Sequence, residues 1–309
     1  MAEHAMYFTD EKSRKIYLTK QIISKVFVYL FLTIFALFMV APFITMVAGS
    51  FVDNEAFYNF SVSGKFSDLN KWDLENYKAI FSMNNDKYNF PVYFLNTFIV
   101  AIGSTTVTVV TAVLAGFAFA RLEFKGKEAL FAVLLATMMI PGEMMVITNI
   151  ITVTVIGWEN TFAALILVHG VSVFYVFYLR QTFQQIPNEL YLAAKVDGVS
   201  DMGYLWKVMI PIAMPTITTI IILSMMGAWN SYVWPNLVAS GTWMDTNHSM
   251  KLVSNGLRDA FAASDSGQEA HAEAIKIAGS MVISAPLFIV FIAFRKYIMR
   301  GVSRSGIKG

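Results

Sequence analysis

Six apolar runs separated by short polar segments set the pattern of this chain. Residues 26–52, 92–120, 161–179, 208–239 and 277–294 hold no Asp, Glu, Lys or Arg, and 129–151 holds one, Glu143. Runs of this length match the roughly 20 residues that a helix needs to cross a ~30 Å hydrocarbon core, so the pattern predicts six transmembrane helices. Pro42 in the first run and Pro141-Gly142 in the third predict bends, because proline removes a helix hydrogen bond. Span 92–120 carries Gly103, Ser104, Thr105, Ala112, Ala115 and Gly116, small residues that let helix backbones approach closely in lipid. The segment 51–90 mixes aromatic residues with charges of both signs and is expected to fold outside the membrane.

The polar segment 187–211 has a pattern of its own. Pro187 suits the first turn of a helix, where its missing N–H is no loss, and Gly198 suits the left-handed residue that closes one. Ser200 then caps a second helix, with Asp201 near its positive end. Met202, Leu205, Trp206 and Met209 fall on one face at helical spacing. The expectation is a helix-turn-helix with an apolar side. Ala193, Ala194 and Gly198 carry so little side chain that another protein surface can approach this backbone, which makes the loop a docking element.

Basic residues orient the spans, since loops that stay in the cytoplasm collect Lys and Arg. The N-terminal segment 1–25, the 121–127 connector, the loop with Arg180, Lys195 and Lys207, and the tail 295–309 together hold sixteen of the 23 Lys and Arg residues. Six spans with both termini in the cytoplasm therefore also put the docking loop there. The polar N-terminal segment has no small-residue cleavage site, so the first run is expected to remain as a span.

Composition agrees. Hydrophobic residues make up 56% of the chain and charged ones 14%, against about a quarter charged in a soluble domain. The mean hydropathy is +0.57. No segment is long enough for a separate globular domain, so residues 1–309 are read as one membrane domain. A net charge of +2 without a basic patch gives no footprint for nucleic acid. The absence of cysteine excludes disulfides, thiolate metal sites and a thiol nucleophile. No GxxxxGK[ST] occurs, because Gly126-Lys127 lacks both the upstream glycine and the following hydroxyl. ATP is therefore not cradled by this chain. His4, His248 and His271 show no paired metal-ligand spacing.

Few polar side chains inside the spans invite a solute. Trp229, Asn230, Tyr232 and Trp234, near the outer half of the fifth span, are solute-path candidates: flat rings suit the C–H faces of sugars, and an amide meets a hydroxyl as donor and acceptor. Their competing role is anchoring at the membrane interface. Glu143 is costly in a span unless it faces protein or water, so it is a further path candidate or a partner for freed backbone donors. His169 is expected to be a packed hydrogen-bonder rather than a proton relay.

The loop also resembles a known motif. Permease subunits of binding-protein-dependent ABC importers carry Glu-Ala-Ala, three residues, Gly, nine residues and Ile-x-Leu-Pro. Ala193, Ala194 and Gly198 match it, and Val208, Ile210 and Pro211 fill its apolar-x-apolar-Pro close. Leu192 stands where the family has Glu, and Glu189, one turn earlier, is the substitute in reach. AGFAFARLEFKGK (115–127), MMIPGEMMVI (138–147), GAWNSYVWP (227–235) and RGVSRSGIKG (300–309) resemble the carbohydrate-type, MalG-like permeases of these importers. The resemblance implies an all-α, six-span, non-catalytic subunit of a bacterial cell membrane that imports sugars or oligosaccharides. It further implies a homologous second permease, two ATPase subunits holding ATP and Mg, an extracytoplasmic solute-binding protein and surrounding membrane lipid. Glu189, Leu192, Ala193, Ala194, Asp197, Gly198 and Pro211 would couple to the ATPase. An autonomous secondary transporter or channel is the alternative, and an intramembrane enzyme a weaker one. Carriers usually bury several ionisable groups, whereas Glu143 and His169 are the obvious ones here, and no HExxH or triad is present.

Overall fold

The computed structural model describes residues 11–52, 56, 57, 72–82, 89–242, 249–256, 258 and 273–303, and among these no strand occurs. His4, His248, His271 and the tail from Arg304 lie outside the described residues. Helices α1 (Glu11–Ser50), α2 (Glu75–Ser82), α3 (Phe90–Arg121), α4 (Lys127–Thr137), α5 (Gly142–Val155) and α6 (Phe162–Leu167) come first. They are followed by α7 (Val173–Gln184), α8 (Asn188–Val196), α9 (Asp201–Tyr204), α10 (Ile210–Trp229), α11 (Val233–Val238) and α12 (Glu273–Ser303). Residues 1–77 with 273–281 form one compact unit, and 78–272 with 282–309 the other.

In the first unit α1 runs unbroken through Pro42 and begins within the polar N-terminal segment. Its apolar side chains stand outward, Phe27 at 69% and Phe38 at 75% exposure, as a helix solvated by lipid requires. Its C-terminal end is held by Asn76, whose Nδ2 donates to the Ser50 and Val52 carbonyls at 3.1 and 2.7 Å.

In the second unit α3 packs lengthwise on α7 and α10. The close fit depends on Gly116, where a Cβ would stand 3.0 Å from Leu179 Cβ and 3.3 Å from the Arg180 nitrogen. Ala112, Phe117, Leu179, Phe183, Leu205 and Met209 are core residues of this contact. Asn89 caps α3 by accepting from the Val92 N–H at 3.1 Å.

Among the described residues four helices are long and apolar enough to cross a membrane: Tyr17–Ser50, Phe90–Arg121, Asp201–Trp229 and Ala274–Arg295. A fifth candidate is the pair α4 and α5, bent by 94°. Three of the apolar runs are not single helices. Run 129–151 is two helices meeting at Pro141, which lacks an N–H and sits in extended geometry (ψ 131°) before α5. Run 161–179 is also two helices. Its break comes at Gly170, whose carbonyl accepts from Thr111 Oγ1 of α3 at 3.2 Å and where a Cβ would lie 2.6 Å from Val107 Cγ1. Ser172 then caps α7 by accepting from the Tyr175 N–H at 3.4 Å. The long helix of run 208–239 ends at Trp229, and Asn230 folds its Nδ2 back onto the Met226 carbonyl at 3.0 Å beside its own N–H at 3.1 Å. Residues 233–238 are a separate short helix.

Candidate docking loop and solute pocket

Local chemistry builds the loop between α7 and α10. Pro187 stands just before α8, at its N-cap position and without a capping hydrogen bond, and Gly198 closes the helix at φ 72°. Val199 N donates to the Ala194 carbonyl at 2.9 Å and Gly198 N to the Lys195 carbonyl at 3.1 Å, the paired bonds of a Schellman close. Ser200 Oγ accepts from the Gly203 N–H at 3.2 Å and starts α9. Asp201 then straps the two helices together, holding Lys195 Nζ at 2.7 Å and accepting from Tyr191 Oη at 2.6 Å. The hydrogen bond to Asp201 raises the Lys195 pKa above its ordinary value. The Tyr191 ring meets Tyr204 edge to face, 5.1 Å between centroids.

The apolar face expected at Met202, Leu205, Trp206 and Met209 is divided. Residues 205–209 form a π-helical turn that shifts the register. Tyr204, Leu205 and Met209 are fully buried, whereas Met202 and Trp206 face outward at 49% and 63% exposure. On α8, Leu192 is 55% and Val196 88% exposed. Glu189, Ala193, Asp197, Gly198 and Pro211 are exposed as well, and Ala194 is half-buried against the core. The loop thus presents five large apolar side chains, Leu190 at 43% exposure among them, with acids beside them.

Two arginines missed as site residues hold this loop to the spans. Arg121, in the last turn of α3, donates to the Phe183 carbonyl at 2.9 Å, to the Ile186 carbonyl, and to Asn188 Oδ1 at 3.3 Å. Arg180 donates to the Phe119 carbonyl at 3.2 Å and to both Glu128 oxygens at 2.9 and 3.0 Å, with its guanidinium 4.0 Å above the Phe131 ring. In the sequence both register only as basic residues at the ends of apolar runs, since their partners lie 52 to 67 residues away.

A pocket of about 300 Å³ opens between α3, α7 and α10. Its polar lining comes from Ser104 and Thr108 on α3, His169 between α6 and α7, Ser172 and Tyr175 at the start of α7, Ser224 on α10 and Ser231 just after it. These pairs fall at helical spacing, a signal available in the sequence and passed over. Trp234 also lines the pocket; its Nε1 donates to the Ala164 carbonyl at 3.0 Å, and His169 meets its ring edge to face at 5.0 Å. His169 is exposed and makes no hydrogen bond among the described residues, contrary to the expectation of a packed hydrogen-bonder.

Of the solute-path candidates, Trp234 alone lines this pocket. Trp229 is buried at 2% exposure, donates from Nε1 to the Ile283 carbonyl at 3.0 Å and packs against Phe98 at 5.0 Å. Asn230 is turned back onto α10. Tyr232 lies under the Arg258 guanidinium at 4.9 Å. Glu143 is exposed in the first turn of α5. No cluster of His, Asp or Glu suited to a metal occurs among the described residues.

Residues 109–304 match the family described as binding-protein-dependent transport system inner membrane component. The chain is 29% identical to the polygalacturonan/rhamnogalacturonan transport system permease protein YtcP of Bacillus subtilis, covering 91% of this chain and 97% of that protein. It is 26% identical to the lactose transport system permease protein LacG of Rhizobium radiobacter, covering 89% and 93%. Among solved structures it shares its fold with a chain of a bacterial ABC transporter involved in the import of the acidic polysaccharide alginate. That match has a TM-score of 0.72 and 20% identity and covers 94% of this chain and 99% of that one.

Proposed function

The chain belongs to the family of binding-protein-dependent transport system inner membrane components, and on that premise we propose that it is the permease subunit of an ATP-driven importer of sugars or oligosaccharides. It crosses the membrane six times with both termini in the cytoplasm, the bent 127–155 and broken 162–184 segments each making one passage. A homologous second permease completes the path, two ATPase subunits supply hydrolysis with their own ATP and Mg, and an extracytoplasmic binding protein delivers solute. Relatives named for lactose and arabinooligosaccharides support the cargo class.

One observation carries the coupling role: a helix-turn-helix closed at Gly198 leaves Leu192, Val196, Met202 and Trp206 exposed between α7 and α10. In this reading the loop seats on the ATPase, with Glu189, Ala193, Ala194 and Asp197 around the contact and Pro211 leading back into the span. Leu192 replaces the family acid, so an apolar contact stands where an ion pair would. Gly198→Asp tests this. A Cβ meets nothing within 4 Å there, so the cost is left-handed backbone, ~1–2 kcal/mol, plus a charge on the docking face. The variant is expected to insert and pair with the second permease but to lose ATPase co-purification or solute uptake. Normal values of both would remove the docking role. For the solute path, Trp234 is the candidate that the pocket supports; Trp229, Asn230 and Tyr232 are better read as supports of the wall, and Glu143 as a contact for the second permease.

A further inference from the structure

We propose that the pocket between α3, α7 and α10 is a sugar-ring site carried by this subunit itself, selective for an uncharged ring over a uronate. The inference rests on the importer reading and adds to it the class of solute unit and the place where it sits. A pocket of about 300 Å³ lies at the small end of the range for bound small molecules, which suits one ring rather than a chain. The lining supplies neutral hydroxyls from three helices: Ser104, Thr108, Tyr175 and Ser224. Each hydroxyl donates once and accepts twice, the same repertoire as a sugar hydroxyl, so a ring exchanges its water contacts one for one. The Ser104, Tyr175 and Ser224 side chains make no hydrogen bond among the described residues, so their capacity is unspent.

Trp234 contributes the apolar part. Its N–H is already committed to the Ala164 carbonyl, which fixes the indole; at 7% exposure, with His169 against it, the ring offers the pocket a small apolar surface. No Lys or Arg lines the pocket, and His169 is the sole lining group able to carry positive charge. A carboxylate entering at a pH where imidazole is neutral would shed water without meeting a cation, whereas a hydroxymethyl group in its place would not. That difference is the basis of selectivity.

The test uses the full chain in nanodiscs at pH 7.5, with saturation-transfer NMR of methyl glucoside and methyl galactoside and of the matching methyl glucuronide and galacturonide. At least one neutral glycoside is expected to bind saturably, and its uronate about tenfold or more weaker. The double variant Thr108→Val/Ser224→Ala should lose the neutral signal by a similar factor while retaining the far-ultraviolet signature of the parent. Equal or tighter uronate binding, no saturable neutral binding, or binding unmoved by the double variant would each overturn the site. ATPase co-purification is read on the same preparation. A chain that retains its ATPase yet binds no neutral ring loses the sugar site alone, whereas one that retains neither loses the importer reading.

Discussion

Arg121→Ala should loosen the docking loop while leaving the helix pack beneath it intact. The guanidinium bridges the last turn of α3 to two carbonyls at the end of α7, Phe183 and Ile186, and to the side chain of Asn188 at the start of α8. Hydrogen bonds from a charged donor are worth about 1.5–3 kcal/mol when buried. Arg121 is half-buried, so about 1 kcal/mol for each of the two carbonyl bonds is a fairer value, or about 2 kcal/mol together. That corresponds to an approximately 30-fold shift in the balance between a docked and a released loop. Hydrogen exchange followed by mass spectrometry reads it directly. Peptides across 187–204 should exchange about 30-fold faster in the variant, whereas the α3 segment around Ala112 and Gly116 should keep its protection. Arg121→Lys should be intermediate, because an ammonium retains the charge but not the fork that reaches two carbonyls at once. Unchanged exchange across 187–204, or equal acceleration in α3, would refute the clamp.

Other expectations follow from the same geometry. Trp229→Ala should cost about 3–5 kcal/mol of stability by emptying a buried site and freeing the Ile283 carbonyl, seen as lost thermal resistance before any specific loss of uptake; reduced uptake at full stability would restore Trp229 to the solute path. The Lys195–Asp201 strap should persist at neutral pH: since the Lys195 pKa is raised in the fold, what the pair contributes is complete below the ordinary lysine value and is lost as pH rises through the raised one. Anisotropy of a fluorophore on Val196→Cys should therefore fall at strongly alkaline pH in the parent, and Lys195→Met should lower it already at pH 7. For the topology, Glu159→Cys should label from outside intact cells and Lys125→Cys should not, the cysteine-free background making each signal unique; the reverse pattern would invert the orientation.

How much was legible depends on how local each determinant is. The turn between α8 and α9 could be read because its determinants lie within a few residues of one another: Gly198 at the left-handed close and Ser200 at the cap are found in those roles, whereas Pro187 stands one residue before the first turn. The π-helical turn at 205–209 went unread although Pro211, which has no N–H to give the Lys207 carbonyl, follows it; within the turn Leu205 is buried and Trp206 exposed. The Pro141 bend was placed correctly, but its 94° size depends on what each arm packs against. The break at Gly170 was hidden in an apolar run because its cause, contact with Val107 and Thr111, is supplied by another helix. Adjacency in sequence also misled. Trp229, Asn230, Tyr232 and Trp234 read as one aromatic cluster, yet the turn after Trp229 sends each to a different neighbour. The hydroxyls of the pocket come from 104 to 231 in the chain and converge only through the packing of α3 on α7 and α10.

The central claim is that the face bearing Leu192, Val196, Met202 and Trp206 seats on an ATPase subunit. Val196 is 88% exposed and the chain has no native cysteine, so Val196→Cys carrying a short photoactivatable cross-linker reports on that face alone. With the assembled transporter purified from its native membrane, illumination is predicted to give a single product of this chain joined to the ATPase, lost when Gly198→Asp is added. If Val196→Cys instead cross-links only to lipid or to the second permease while the ATPase is present, the loop is not the docking surface.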